Sequence, residues 1–245
     1  MSRPQTESIR EFILNCVAEH PRSVARQVAQ AYGISRQAAN RHLDALVDSG
    51  LLEQEGATRS REYRLRRSSV LNREVRVTPV LNPERFWDDN LAPVLSHDPV
   101  GVRDLCRGAF GEVVLNVIRH AQATWINLIF EMTARAIEVT VADDGRGVFT
   151  QLAARVGVST PRDAAALMLR HADDRSSGFP ASRLALLARN FEWFEIASSG
   201  VTLTWYSATG SWSLADTDAP VRGTRVSMRL SRTEKRIGAA RAHAA

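Results

Sequence analysis

Apolar positions recur at helical spacing through the opening stretch of the chain. Ile9, Phe12, Ile13 and Val17 fall at i, i+3, i+4 and i+8 and predict a helix over 6–18, broken at His20-Pro21. Ser23 is placed to cap a second helix with apolar positions at Val24, Val28 and Ala31, and Tyr32-Gly33 supplies its turn. Ser35 starts a third helix that runs to about Asp48, with Ala39, Leu43, Leu46 and Val47 as the inward stripe. Gly50 is its stop. The pattern then shortens to Leu51-Leu52 and Glu62-Tyr63-Arg64-Leu65, a hairpin around Gly56 and Thr58-Arg59-Ser60-Arg61.

Beyond Arg66-Arg67-Ser68-Ser69 the period changes. Val75 and Val77 alternate with charged neighbours before Pro79, so 68–79 is expected to be a linker or edge strand. Pro83 opens a helix with Phe86, Trp87, Leu91 and Leu95 as its packing side. After Pro99 a second helix carries Leu105, Cys106, Phe110, Val113 and Val117. Two alternating strands follow, Trp125 to Phe130 and Ile137 to Val141, joined at Thr133-Ala134-Arg135. Ala164, Leu167 and Met168 mark a helix over Asp163–Arg170, and Ala185, Leu186 and Leu187 mark another. Strands are expected at 191–197 and 201–206, with Trp212 and Leu214 extending the sheet and 224–230 closing it. The boundaries expected are therefore 1–67, 68–79, 80–231 and a basic tail over 232–245.

At 245 residues the chain holds one sizeable core or two small ones. It shows neither a signal peptide nor an apolar run long enough for a bilayer, so a cytoplasmic protein with no membrane partner is expected. Cys16 and Cys106 are isolated and form no disulfide framework or metal-ligand spacing. Charge is uneven. Residues 1–67 carry net +3, 68–218 net −4 and 219–245 net +6, with Lys235 the single lysine. Basic ends around an acidic body favour a polyanionic partner.

The outward side of the third helix holds Arg36, Gln37, Asn40, Arg41 and Asp44. Arginine, glutamine and asparagine present forked donors and acceptors to base edges, and arginine also reaches phosphate. The three helices and hairpin resemble a winged-helix DNA-binding module of bacterial regulators, over roughly residues 5–66, with Gly33-Ile34-Ser35 through Leu43 as the matching stretch. The resemblance implies duplex DNA as partner, with Arg36, Gln37, Asn40 and Arg41 at the major groove and Arg59 or Arg61 on phosphate or in the minor groove. It also implies a homodimer on symmetric half-sites. A solvated helix face, or a surface for protein contact, is the plainer alternative.

A second constellation lies at Gly111–Val148. Glu112, Asn116 and His120 are each one helical turn apart, and the strand ending VTVADDGRGV delivers Asp143, Gly145 and Gly147. This stretch resembles the nucleotide-binding domain of sensor histidine kinases, gyrase-type ATPases, heat-shock chaperones and the mismatch-repair ATPase. The resemblance implies an α/β multidomain chain, an N-terminal winged helix-turn-helix followed by a histidine-kinase-like ATPase α/β sandwich over residues 80–231. It implies ATP or ADP with Mg as cofactors: Glu112 polarises water, Asn116 holds the metal, and Asp143 accepts from the adenine amino group. Gly145, Gly147, Gly178 and Thr224 of the closing Gly223-Thr224 strand would complete the nucleotide site. The plain alternative for Asp143 is a turn acceptor for backbone amides. Phe149–Ser177 would form the ATP lid, but Pro180 and Ser182 stand where the resembled loop has glycines, which implies slow or absent hydrolysis. No phosphorylatable-histidine helix precedes the domain, which argues against kinase activity. The expected function is a DNA-binding transcriptional regulator whose second domain binds an adenine nucleotide or derives from a nucleotide sensor. The alternatives are an Mg-dependent ATPase or an interaction scaffold retaining the ATPase fold.

Overall fold

A computed structural model describes residues 3–57, 60–172, 182–217 and 221–232. The chain divides into two compact units, Met1–Ser68 with Met132–Arg135, and Ser69–Glu131 with Ala136–Ala245.

The first unit opens with α1 (Arg3–Cys16), α2 (Val24–Tyr32) and α3 (Arg36–Asp48). α1 ends earlier than its periodicity predicts, as His20 N–H turns back to the Cys16 carbonyl at 2.9 Å. Ser23 makes no side-chain cap to α2, contrary to expectation, whereas Ser35 Oγ accepts from Ala38 N at 3.1 Å and does cap α3. α2 stops at Gly33, where φ is +63°. β1 (Leu52–Glu55) and β2 (Glu62–Leu65) pair antiparallel from Leu52 opposite Leu65 to Glu55 opposite Glu62. Tyr63 N–H donates to the Pro21 carbonyl at 3.0 Å and fastens β2 to the α1–α2 connection. Ile9, Ile13, Val17, Val28, Ala39, Leu43, Leu52 and Tyr63 form the buried core. Deleting one such aliphatic side chain costs about 2–5 kcal/mol.

The second unit is a seven-stranded sheet with helices. In chain order its elements are β3 (Ser68–Arg76), α4 (Pro83–Asn90), α5 (Val100–Asn116), a π-helical segment (Val117–Ala121), β4 (Trp125–Met132) and β5 (Ala136–Asp143). Then come α6 (Val148–Val156), α7 (Pro161–Arg170), α8 (Ser182–Ala188), β6 (Trp193–Ser198), β7 (Val201–Tyr206), β8 (Ser211–Asp216) and β9 (Thr224–Ser231). The strand order is β3-β4-β5-β9-β6-β7-β8, so β9, the last strand among the described residues, sits in the middle. β9 runs antiparallel to both β5 and β6, and β7 pairs antiparallel with β6 and β8.

This register sorts side chains between two faces. Val139, Met228, Phe194 and Trp205 lie in one row across the apolar face, and Val141, Val226, Ile196 and Leu203 in the next. All eight are buried. α5 packs against β5 and β9, α6 against β6, and α7 against β7 and β8. The opposite face is polar and ion-paired. Arg229 donates to Glu138 and to Glu192, Arg225 Nη2 donates to Glu195 at 3.3 Å, and Thr140 Oγ1 lies 3.1 Å from Ser227 Oγ.

Two local expectations change. The stretch expected as a lid, Phe149–Ser177, is helical in its described part, and its residues 173–177 lie outside the described residues. It opens with α6, whose Phe149, Leu152 and Ala153 are buried at helical spacing between Gly147 and Gly157. The helix of Glu112 and Asn116 does not continue in phase to His120, because α5 gives way at Val117 to the π segment. Gln122 then turns left-handed at φ 53°, and His120 is exposed.

Candidate nucleic-acid interface

α3 is amphipathic by construction. Ala39, Leu43 and Leu46 are buried against the first unit's core, which turns Arg36, Gln37 and Arg41 to solvent and leaves Asn40 half-buried. The Ser35 cap fixes the first turn, so Arg36 and Gln37 leave a defined helix start. Asp44 is exposed one turn beyond Asn40 and Arg41.

The hairpin beside this helix is ordered by ion pairs. Glu62 accepts from Arg22 Nε at 3.3 Å and from Arg64 Nη2 at 3.2 Å. Arg64 also lies 3.7 Å from Glu55, and Arg66 lies 3.8 Å from Glu53. Gly56 has φ +73°, and a Cβ there would meet the Ser60 carbonyl oxygen at 2.5 Å, so glycine is required for the turn. Ser60 Oγ donates to the Ala57 carbonyl at 3.0 Å. Arg59 lies outside the described residues. Arg61 is half-buried, and its Nη1 donates to Tyr63 Oη at 3.3 Å. That hydrogen bond, with the nearby Asp44 carboxylate, raises the pKa of its guanidinium above the ordinary arginine value.

The acidic constellation of the second unit is assembled differently from the expectation. Asp143 is 6% exposed, and its Oδ1 accepts from Gly145 N at 2.8 Å. Burial raises its pKa, opposed by the backbone amides of Gly145 and Thr224. Gly145 is pressed against α5's continuation: a Cβ there would stand 2.3 Å from the Ala121 carbonyl oxygen. Gly147 has φ +81°, with the Ser199 and Ser198 hydroxyls where a Cβ would go. Thr224 Oγ1 accepts from Val148 N at 2.9 Å and so caps the start of α6. Glu112 pairs with Arg183 at 3.4 Å, and Asn116 is the half-buried last residue of α5. Gly178 lies outside the described residues. Asp144 Oδ1 accepts from Thr124 N at 2.7 Å and Trp125 N at 2.9 Å, and these bonds, Trp125's foremost, lower its pKa.

These contacts make the turn a structural joint. Asp143 plays the plainer role of acceptor for backbone amides. Among the described residues no three His, Cys, Asp or Glu side chains gather as a metal site.

Compared with known proteins, the chain matches a family model described as winged helix-turn-helix DNA-binding over residues 9–53. No curated protein matches it. Two solved structures align along most of its length. PhnF from Mycobacterium smegmatis is 12% identical, with 91% of this chain and 94% of that chain covered at a TM-score of 0.20. HmgR of Pseudomonas aeruginosa is 18% identical, with 97% and 96% covered at a TM-score of 0.26.

The fold class is accordingly corrected to a winged helix-turn-helix followed by an α/β unit, in place of a histidine-kinase-like ATPase sandwich. ATP or ADP and Mg are withdrawn as cofactors, and adenine nucleotide as a partner. Glu112 is engaged by Arg183, Asp143 accepts from an amide of its own turn, and among the described residues no metal-binding cluster forms around Asn116. Over residues 9–53 the first unit is similar to the winged helix-turn-helix DNA-binding model, and its three helices and hairpin have that arrangement. No helix among the described residues is long and apolar enough to cross a membrane.

Proposed function

We propose that this chain is a transcriptional regulator that binds duplex DNA through α3, with the α/β unit as an accessory domain. The observation that carries the reading is the Ser35-capped start of α3, with Arg36, Gln37 and Arg41 exposed together and Asn40 at the edge of the same surface. A helix of this width fits the major groove of B-form DNA. Its arginines suit guanine edges or phosphates, and its glutamine and asparagine suit adenine. Arg59, which falls between β1 and β2 in sequence, adds a cation for the sugar-phosphate backbone.

The full chain, presented with a randomised pool of duplexes, is expected to select a preferred sequence. Substituting Arg36 or Arg41 by Ala should cost about 1–3 kcal/mol where the side chain reads a base, with relaxed preference at one position. Where it meets phosphate instead, binding should weaken on all sequences and the logarithmic salt slope should fall by about one. A chain that selects no duplex, and whose residual affinity ignores both substitutions, would leave the winged unit a surface for protein contact.

A further inference from the structure

Two indoles of the second unit carry donors that the fold leaves unused. Trp205 of β7 and Trp212 of β8 stand directly opposite one another in the antiparallel register, on the apolar side of the sheet. Their ring centres lie 5.7 Å apart, with the planes at 54°. Trp205 is 8% exposed, Trp212 is half-buried, and α7 packs over both strands. The Nε1–H of each ring is buried and has no acceptor among the described residues. An indole nitrogen only donates, and a buried tryptophan ordinarily gives this hydrogen to a partner. Here two unmet donors fall on one cross-strand pair, which points to an acceptor that the chain itself does not supply.

The surroundings define the acceptor that suits them. The Arg189 guanidinium, just past α8, lies 5.7 Å from the Trp205 ring centre and brings positive charge to the same aromatic pair. A carboxylate accepts through two oxygens, so one group can meet both indole donors. The flat indole faces suit the carbon body of such a molecule. β8 is an edge strand and Trp212 keeps part of its ring at the surface, so the pair is reachable from the rim of the sheet.

We propose that Trp205 and Trp212 form a binding site for a small organic acid, whose carboxylate accepts from both Nε1–H groups while its carbon body lies against the indoles. The site belongs to the second unit alone, and duplex binding by α3 is not a condition for it.

Each indole Nε1–H gives its own signal in a nitrogen–proton correlation spectrum of the full chain. The chain has five tryptophans, so Trp87, Trp125 and Trp193 serve as internal references. Titration with sodium acetate, the carboxylate alone, should move the Trp205 and Trp212 protons downfield together and to saturation, as a new hydrogen bond to an anion requires. Sodium benzoate, which adds a flat apolar body, should bind more tightly, and sodium chloride at matched ionic strength should move neither signal. Ligands of so few atoms reach half-saturation on the order of 1 mM. Trp205→Phe and Trp212→Phe each delete one donor, keep an aromatic ring and assign one signal. Either should weaken acetate about tenfold, the scale of one hydrogen bond to a charged group. Through-bond assignment of the wild-type chain keeps the titration decisive where a variant does not fold. A shift confined to one of the pair, shifts spread evenly over all five signals, or no saturable change with either acid at about a hundred times the expected concentration would overturn the site. A chain that selects no duplex but shows the paired shift keeps the site and loses only the regulator reading.

Discussion

Asp143 and Asp144 are neighbours with opposite electrostatics, and the difference is testable by pH. Burial raises the Asp143 pKa, so between the unfolded value and the raised folded value the folded chain holds more protons than the unfolded one. Its ionisation therefore removes stability as pH rises through that window. Asp144 is the reverse: its pKa is lowered by amide donors, and it adds stability above the unfolded value that is lost as pH falls through the folded one. Asp143→Asn, which keeps an acceptor for Gly145 N, is expected to raise the unfolding midpoint at neutral pH, with the gain vanishing below the ordinary carboxylate range. Asp144→Asn should lower the midpoint at neutral pH and converge on the wild type in acid. Denaturation across a pH series reads both, and parallel curves for the two variants would contradict the assignment.

Elements depend on a few junction residues. Ser35 supplies a side-chain acceptor at the start of α3, so Ser35→Ala is expected to cost about 1 kcal/mol in denaturation and to weaken duplex binding as the first turn frays. Gly145 is a stricter case. Its backbone approaches the Ala121 carbonyl so closely that even a methyl group requires the π segment or the turn to move. Gly145→Ala should destabilise the chain by about 1–3 kcal/mol. A thermal midpoint equal to the wild type's would show that this joint is looser than its geometry implies. The hairpin and the three opening helices were legible because their periods, caps and glycines agree with one another. α6 is encoded in the same way, in Phe149, Leu152 and Ala153 between two glycines.

At the scale of the molecule, each unit buries its own apolar cluster. The first is built around Ile13, Val28, Leu43 and Leu52, and the second around Phe110, Phe130, Phe194 and Leu203. Leu43→Ala should cost about 2–5 kcal/mol in the first unit and reduce duplex binding sharply. Amide exchange in β5, β6 and β9 should stay slow in that variant. Equal loss of protection in those strands would show that the two cores unfold as one.

The sequence alone determined what depends on neighbouring residues. The stripe Ala39, Leu43, Leu46 with its Ser35 cap dictates an amphipathic α3 and hence which side chains face outward. Alternation in 125–130 and 137–141 dictates strands. Tertiary structure decided what depends on residues far apart in the chain. The insertion of β9 between β5 and β6 follows from pairing across nearly ninety positions, as Thr140 opposite Ser227 shows, and no local period carries that information. The same holds at the charged groups. A carboxylate in a turn has the same local signature whether it meets a ligand or a backbone amide. Folding brought Gly145 and Thr224 to Asp143 and Arg183 to Glu112, because desolvated charges are stable only where a partner is close.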